Sequence, residues 1–300
     1  MKSTFKSRHE QGGTHRLESW GIASETGLLH DVLIGPIEHY SWRAGNSTSK
    51  KYLRDGAQFD AEIAKAQYQE MVSVYEEAGV RTHFLASQSD LPYALYARDS
   101  SVMTPWGAIV TQMHSPWRRA EWLLAANFYI ENSIPIYDVV TAGSFEGGDF
   151  MLIEEGVALC GSTGERTSLA GAHQVKDWFE REGWEFEICQ FDPHFLHMDV
   201  QCVMIAEKTA AVCLDVLPDE TIRWLKSKKI TLVDIPYKDA MDLGCNVMSL
   251  GNERVLLPYH SQRLKEQCRA LGLKVYDPDI SMITKGGGGV HCMSQALRRD

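Results

Sequence analysis

The sequence predicts an α/β fold in which five helix, strand and hairpin units are arranged about an axis. Three observations carry this reading. Helix-then-strand pairs recur, with strands starting near residues 80, 134, 184, 230 and 273. Between them lie paired apolar stretches broken by turn residues, each reading as a hairpin. The units match in order and spacing yet share no short literal motif, and such a unit cannot bury its own faces, so the repeats must stack on one another.

In chain order, residues 28–36 read as a strand ended by Gly35-Pro36, and the following stretch to Leu53 as a polar and aromatic loop. Residues 59–78 carry apolar side chains at helical spacing (Phe59, Ile63, Met71, Val74, Tyr75), stop at Gly79 and pass into a strand over 80–85. The same succession returns as helix 120–132 with strand 134–137, helix 169–182 with strand 184–188, helix 219–228 with strand 229–233, and helix 261–271 with strand 273–276. Hairpins are expected over 102–112, 150–160, 200–214 and 247–257. The last unit lacks a second hairpin strand, so the strand around Val32 is expected to supply it and close the ring. This gives one domain over residues 1–300, with 1–25 loosely ordered.

Hydrophobic residues at 44% and charged residues at 23% fit a soluble globular chain with a sizeable core. A net charge of −10 argues against nucleic acid or an anionic membrane as partner, and favours a small cation. Seven cysteines, an odd number without CxxC pairing, fit reduced thiols. The start, 1–16, is polar with no apolar signal core, which points to the cytoplasm.

The chemistry is concentrated where the hairpins begin. Asp99 opens the first, Glu146 and Asp149 the second, His197 and Asp199 the third, Asn246 the fourth and Cys292 the last. Their spacing of 47, 51, 49 and 46 residues follows the repeat, so equivalent positions converge on the axis in one site. Cys292 follows Gly286-Gly287-Gly288-Gly289, a run that lets backbone approach another group closely and turn sharply before a thiol. A P-loop would need Gly-Lys-Ser/Thr at the end of such a run, and here Lys285 precedes it.

A thiol beside a histidine is equipped for nucleophilic catalysis. A papain-like protease would find three carboxylates surplus, since negative charge raises the thiol pKa. They make sense if the substrate is a cation. A guanidinium stays protonated and pairs with carboxylates through a fixed fork of N–H donors. No HExxH, CxxC or His-rich spacing marks a metal site, and no cofactor is called for. His291 points to the opposite face if its segment is extended, which makes it structural.

At these residues the chain resembles the guanidino-group-modifying enzymes: arginine deiminases, dimethylarginine dimethylaminohydrolases and amidinotransferases. The matching pieces are Ala97-Arg98-Asp99, Phe145-Glu146-Gly147-Gly148-Asp149-Phe150, Gly164-Glu165-Arg166-Thr167, His197-Met198-Asp199, Asn246 with Leu250-Gly251, and Gly287 to Ser294. The resemblance implies an α/β propeller of five repeats, the pentein fold with pseudo-fivefold symmetry. It implies Cys292 as nucleophile and His197 as general acid/base, with Asp99, Glu146 and Asp199 as guanidinium-binding carboxylates. It further implies that Arg118 and Arg166 hold a substrate carboxylate, with Asp149 and Asn246 also on the substrate. The expected reaction is hydrolysis of arginine or an N-substituted guanidino compound. Amidino transfer is the alternative, followed by a non-catalytic ring-shaped binding protein. A homo-oligomer is left open.

Overall fold

The five units are visible as five three-stranded sheets in a computed structural model, which describes residues 8–9 and 15–300. The chain opens with β1 (Leu29–Ile34), α1 (Ser47–Arg54), α2 (Ala61–Glu77) and β2 (Arg81–Phe84). Then follow β3 (Ser101–Thr104), β4 (Gly107–Val110), α3 (Glu121–Glu131) and β5 (Ile136–Val139). The next unit is β6 (Phe150–Glu154), β7 (Val157–Ser162), α4 (Leu169–Arg181) and β8 (Glu185–Gln190). After it come β9 (Cys202–Ala206), β10 (Thr209–Val212), α5 (Asp219–Ser227) and β11 (Thr231–Asp234). The last elements are α6 (Tyr237–Met241), β12 (Met248–Gly251), β13 (Arg254–Leu256), α7 (Gln262–Ala270), β14 (Lys274–Tyr276), α8 (Ser281–Thr284) and β15 (Ser294–Arg299).

Four sheets have the same plan: an antiparallel hairpin, then a helix that returns the chain to lay a third strand parallel to the second. The fifth sheet has the order β15-β1-β2, with Val32 opposite Ala296 in the antiparallel pair and opposite Thr82 in the parallel one. The strand near the start of the chain thus takes the second hairpin position of the last unit, as expected, and closes the ring.

One local device repeats five times. Gly79, Ser133, Gly183, Lys229 and Gly272, each just past a helix, all have positive φ. The next residue's N–H bonds back across the helix end: Val80 to Tyr75, Ile134 to Tyr129, Trp184 to Phe179, Ile230 to Leu225 and Leu273 to Cys268. This Schellman closure satisfies carbonyls orphaned at the helix end and aims the chain into the third strand. Three of the five positions are glycine and two are not, which is why the repeat is real in geometry and absent as a literal motif.

The helices cover the sheets with one face. In α2 the buried residues Ala64, Tyr68, Met71, Val72 and Tyr75 recur at helical spacing; full burial of a Met71-sized side chain is worth about 1.5–3 kcal/mol. All residues of β3 and β4 are buried, whereas the third strand β2 is partly exposed along its length. The hairpins therefore lie inside and the third strands outside. Among the described residues there is no disulfide, all seven cysteines being unpaired and buried. No described helix is long and apolar enough to cross a membrane.

Two expectations are corrected. The loop to Leu53 contains α1, capped by Asn46, whose side chain accepts from Ser49 N at 2.9 Å; its Asn-Ser-Thr-Ser start resembled a loop because few apolar residues follow. Of the 1–25 stretch expected to be loose, residues 1–7 and 10–14 lie outside the described residues. Gly21, however, is bonded into the last sheet through Leu297 O and Arg299 N, and Ile22 and Glu25 are buried.

Candidate active site

Each hairpin begins in a tight turn. Ala97–Ser100, Gly147–Asp149 and Met198–Val200 are single 3-10 turns, and Cys292 lies in the turn between Gly289 and Ser294. These turns are stapled to one another around the ring. Cys292 O accepts from Arg98 N at 3.0 Å, and the Arg98 side chain donates to Gly147 O and Phe150 O. Asp149 Oδ1 accepts from Met198 N at 2.9 Å, Asn246 Nδ2 donates to Asp199 O at 3.2 Å, and Asn246 Oδ1 accepts from His291 N at 3.0 Å. The polar residues at repeat spacing converge because their backbones are bonded unit to unit.

The glycine run serves that approach. A Cβ on Gly288 would lie 2.3 Å from the Tyr96 ring, and one on Gly289 would lie 2.5 Å from Asn246 Oδ1. No other residue lets the turn pass between those groups.

A cavity of about 20 Å³, the size of one water, is bordered by Cys292, His197, Asp99, Arg118, Arg166 and Tyr93. Size alone is a poor guide here. A cleft of about 560 Å³ bordered by Trp20, Glu155, Glu207 and Arg298 has no cysteine or histidine in its wall.

The carboxylates divide into two kinds. Glu146 is fully engaged: Oε1 accepts from His114 N at 2.9 Å, and Oε2 from His197 Nε2 at 2.8 Å and Arg166 Nη1 at 3.4 Å. Burial opposes its ionisation, but the His197 bond and Arg166 overcome this and bring its pKa down to about 2. Glu146 therefore orients and charges His197, with both of its oxygens accepting hydrogen bonds. Asp99 and Asp199 each have one oxygen tied and one left over. Asp99 Oδ2 accepts from Arg118 Nη1 at 2.8 Å, and Asp199 Oδ2 accepts from His291 Nδ1 at 2.9 Å and faces Cys292 Sγ at 3.3 Å. Among the described residues Asp99 Oδ1, Asp149 Oδ2 and Asp199 Oδ1 are buried without a hydrogen-bond partner, and Asp99 Oδ1 lies 3.7 Å from His197 Nδ1.

His197 is buried, which disfavours its charge, yet Asp99, Asp149 and Glu146 raise its pKa to about 9. The ring is an imidazolium at neutral pH. Burial, then Asp199 and Asp99, push the Cys292 thiol well above its usual range, so without a cation beside it the sulfur holds its proton. Asn246 Nδ2 lies 3.2 Å from that sulfur.

Three further placements bear on the expected roles. Asp149 and Asn246, expected on the substrate, are wholly buried staples between units. Arg118, expected to hold a substrate carboxylate, has Glu121 and Asp99 as partners. His291 lies in a turn instead of an extended segment, so it reaches Asp199 on the nucleophile's side. Sequence reasoning missed Glu121, Tyr93, Asn46 and Glu25. Glu121 had a local signal, since it follows Arg118 by three residues just as α3 begins; Glu25, buried against Arg98 at 2.6 Å, had none.

One atom each from Asp99, Glu146 and His197 lies within 4.8 Å of the others, a spacing that also suits a cation. Here Arg118, Arg166 and the imidazolium already supply the positive charge for these carboxylates.

The family model for N,N dimethylarginine dimethylhydrolase, eukaryotic, matches residues 41–299. The chain belongs to this family. It is accordingly a hydrolase of C–N bonds in linear amidines, acting on guanidino compounds. It is 26% identical over 237 residues to the N(G),N(G)-dimethylarginine dimethylaminohydrolase of Mycobacterium tuberculosis, covering 79% of this chain and 76% of that one. It is 24% identical over 278 residues to the uncharacterized protein YkgA of Bacillus subtilis, covering 92% and 94%. Its fold matches the Pseudomonas aeruginosa family member solved with citrulline, with a TM-score of 0.75 and 19% identity over 89% of this chain and 99% of that one. It also matches the N-terminal domain of ArgZ, an arginine dihydrolase of cyanobacteria solved with its product, with a TM-score of 0.78 and 18% identity over 88% and 96%. The five-unit α/β architecture expected from the repeat, which the resemblance identified with the pentein fold, is the fold of this chain.

Proposed function

We propose that this dimethylargininase-family chain hydrolyses arginine or an N-substituted guanidino compound through a covalent amidino-thioether on Cys292. The observation that carries the reading is a pair of buried carboxylate oxygens without hydrogen bonds, Asp99 Oδ1 and Asp199 Oδ1, beside one thiol. Buried anionic acceptors that lack hydrogen bonds are costly and are satisfied by a planar cation presenting N–H groups.

The substrate's own charge then stabilises the thiolate. A guanidinium between the two carboxylates offsets the negative field that keeps Cys292 protonated, and the sulfur releases its proton to solvent as its target arrives. The thiolate bonds to the guanidinium carbon. With Nε2 held by Glu146, His197 transfers a proton from Nδ1 to the departing nitrogen as the C–N bond breaks. The neutral imidazole next takes a proton from water, the hydroxide oxygen bonds to the same carbon, and the C–S bond breaks to return the thiolate. The products are a ureido compound and ammonia or an amine. Amidino transfer to a second amine would use the same first half.

Incubation with arginine, N-methylated arginines and alkylguanidines, followed by acid quench and mass spectrometry, tests the reading. The expected result is an amidino adduct on Cys292 and a ureido product that forms without added glycine or ornithine. Cys292→Ser should bind substrate and lose turnover by a factor of about 10⁴ or more, since its hydroxyl is not ionised near neutral pH. Turnover by Cys292→Ser near that of the parent would remove the covalent mechanism.

A further inference from the structure

His291 is a buried histidine that the reaction as written leaves unused. Its ring meets a carboxylate at each nitrogen. Nδ1 donates to Asp199 Oδ2 at 2.9 Å, and Nε2, which has no hydrogen-bond partner among the described residues, lies 4.0 Å from Glu25 Oε2. The backbone beside the ring is fixed, since His291 N donates to Asn246 Oδ1 at 3.0 Å. Glu25 is anchored too: Arg98 Nη2 donates to its Oε1 at 2.6 Å while holding Phe150 O, and Arg299 supplies further positive charge beside it. One face of the imidazole is therefore set against a fixed ion pair, and the other against the carboxylate beside the nucleophile.

Asp199 Oδ2 is the atom on which this bears, because the same oxygen lies 3.3 Å from Cys292 Sγ. A buried carboxylate there can fail in two ways. Once protonated it no longer attracts a guanidinium, and once turned about its torsions it presents the wrong oxygen. An N–H on Oδ2 counters both. It favours the charged form, makes that oxygen a weaker base toward the thiol, and leaves Oδ1 as the oxygen without a hydrogen bond. Burial works to raise the Asp199 pKa; the bond from His291 is the chief influence that brings it below the usual carboxylate value, helped by His197 and Cys292.

We propose that His291 is a positioning residue for this reaction. Its Nδ1–H keeps Asp199 ionised and aimed, so that Asp199 receives the substrate cation and does not take the thiol proton, which leaves for solvent as described above. This rests on the guanidino reading.

The test follows citrulline formation from arginine and from N-methylarginine between pH 5 and 9, with KM and kcat separated. Two amide substitutions distinguish the ring nitrogens: the NH₂ of His291→Asn falls near the place of Nδ1, and that of His291→Gln near the place of Nε2. His291→Gln should raise KM about tenfold at pH 7. It should also move the acid limb of kcat/KM upward by about one pH unit, because a carboxylate without its donor stays protonated to higher pH. His291→Asn should return both quantities to near those of the parent. His291→Phe, which keeps a ring and has no nitrogen, should behave like His291→Gln; if near-UV circular dichroism shows that it does not fold, the two amide variants decide. A fall in kcat by the same factor at every pH, rescue by His291→Gln instead of His291→Asn, or unchanged kinetics in all three variants would overturn the proposal and leave the guanidino reading standing. Absence of citrulline from both compounds with the parent protein would remove that reading, and this proposal with it.

Discussion

His197 and Glu146 form a pair whose charges depend on each other in a buried site, and pH reads that dependence directly. The imidazole pKa of about 9 lies above the usual value near 6.5, so the folded state binds this proton more tightly than the unfolded chain does. The resulting stabilisation is complete below about pH 6.5 and is lost as pH rises through about 9. Glu146, held near 2, contributes in the opposite direction: its share is present above about 4.5 and is lost as pH falls toward 2. Urea denaturation between pH 6 and 9.5 should therefore show the parent losing on the order of 2 kcal/mol more than His197→Gln over that interval. Parallel slopes for the two proteins would mean that His197 is not the group responsible. A second residue-scale prediction concerns the cluster of Asp99, Glu146 and His197. Since two arginines and the imidazolium supply its positive charge, overnight treatment with a chelator should leave turnover unchanged. A loss restored by one divalent metal would show instead that the cluster works as a metal site.

Among the elements, the turn from Gly286 to Cys292 carries the most constraint for its length. Gly289→Ala would drive a methyl group into Asn246 Oδ1, the acceptor for the His291 and Cys292 amides. It should lower stability by about 2–4 kcal/mol and lower kcat well beyond what the remaining folded fraction explains, because the staple that places the sulfur is displaced. Gly272→Ala is the control. Its φ of +85° is unfavourable for alanine, but no atom lies within 4 Å of the added Cβ. That change should cost about 1 kcal/mol and leave kcat intact. Similar kcat losses in both variants would show that glycine at 289 serves backbone conformation only.

Across the whole molecule, closure of the ring depends on β1, and Asp31 is its latch. This buried carboxylate on β1 accepts from Arg298 Nε of β15 at 2.7 Å and from His83 Nε2 of β2 at 2.9 Å, joining both neighbours of the closing strand. Burial raises its pKa, and the His83 and Arg298 bonds more than reverse this, so its contribution is lost as pH falls below the ordinary carboxylate range. Asp31→Asn keeps the shape and removes the charge; it should cost about 1–3 kcal/mol in denaturant midpoint experiments. Because the ring closes through this one sheet, the loss should appear as cooperative unfolding of all five units. A separate early transition confined to the last sheet would show that the ring does not unfold as one body.

The sequence alone determined the repeat, because its signals are local: a helical apolar face, a left-handed residue at the helix end and a turn between two apolar runs each act over fewer than ten residues or so. The convergence of Asp99, Glu146, His197, Asn246 and Cys292 followed from repeat spacing alone, since equivalent positions in a closed ring face one axis. Which oxygen each carboxylate has to spare was decided only in three dimensions. Asp149 faces the neighbouring turn's Met198 N–H, Glu146 collects donors from three segments, and Asp99 is shared with Arg118. Glu25 and Tyr93 entered the site's surroundings with no periodic signal at all. A hydrogen-bond partner from another unit is set by a few tenths of an ångström in how the units abut, and no spacing along the chain encodes that distance.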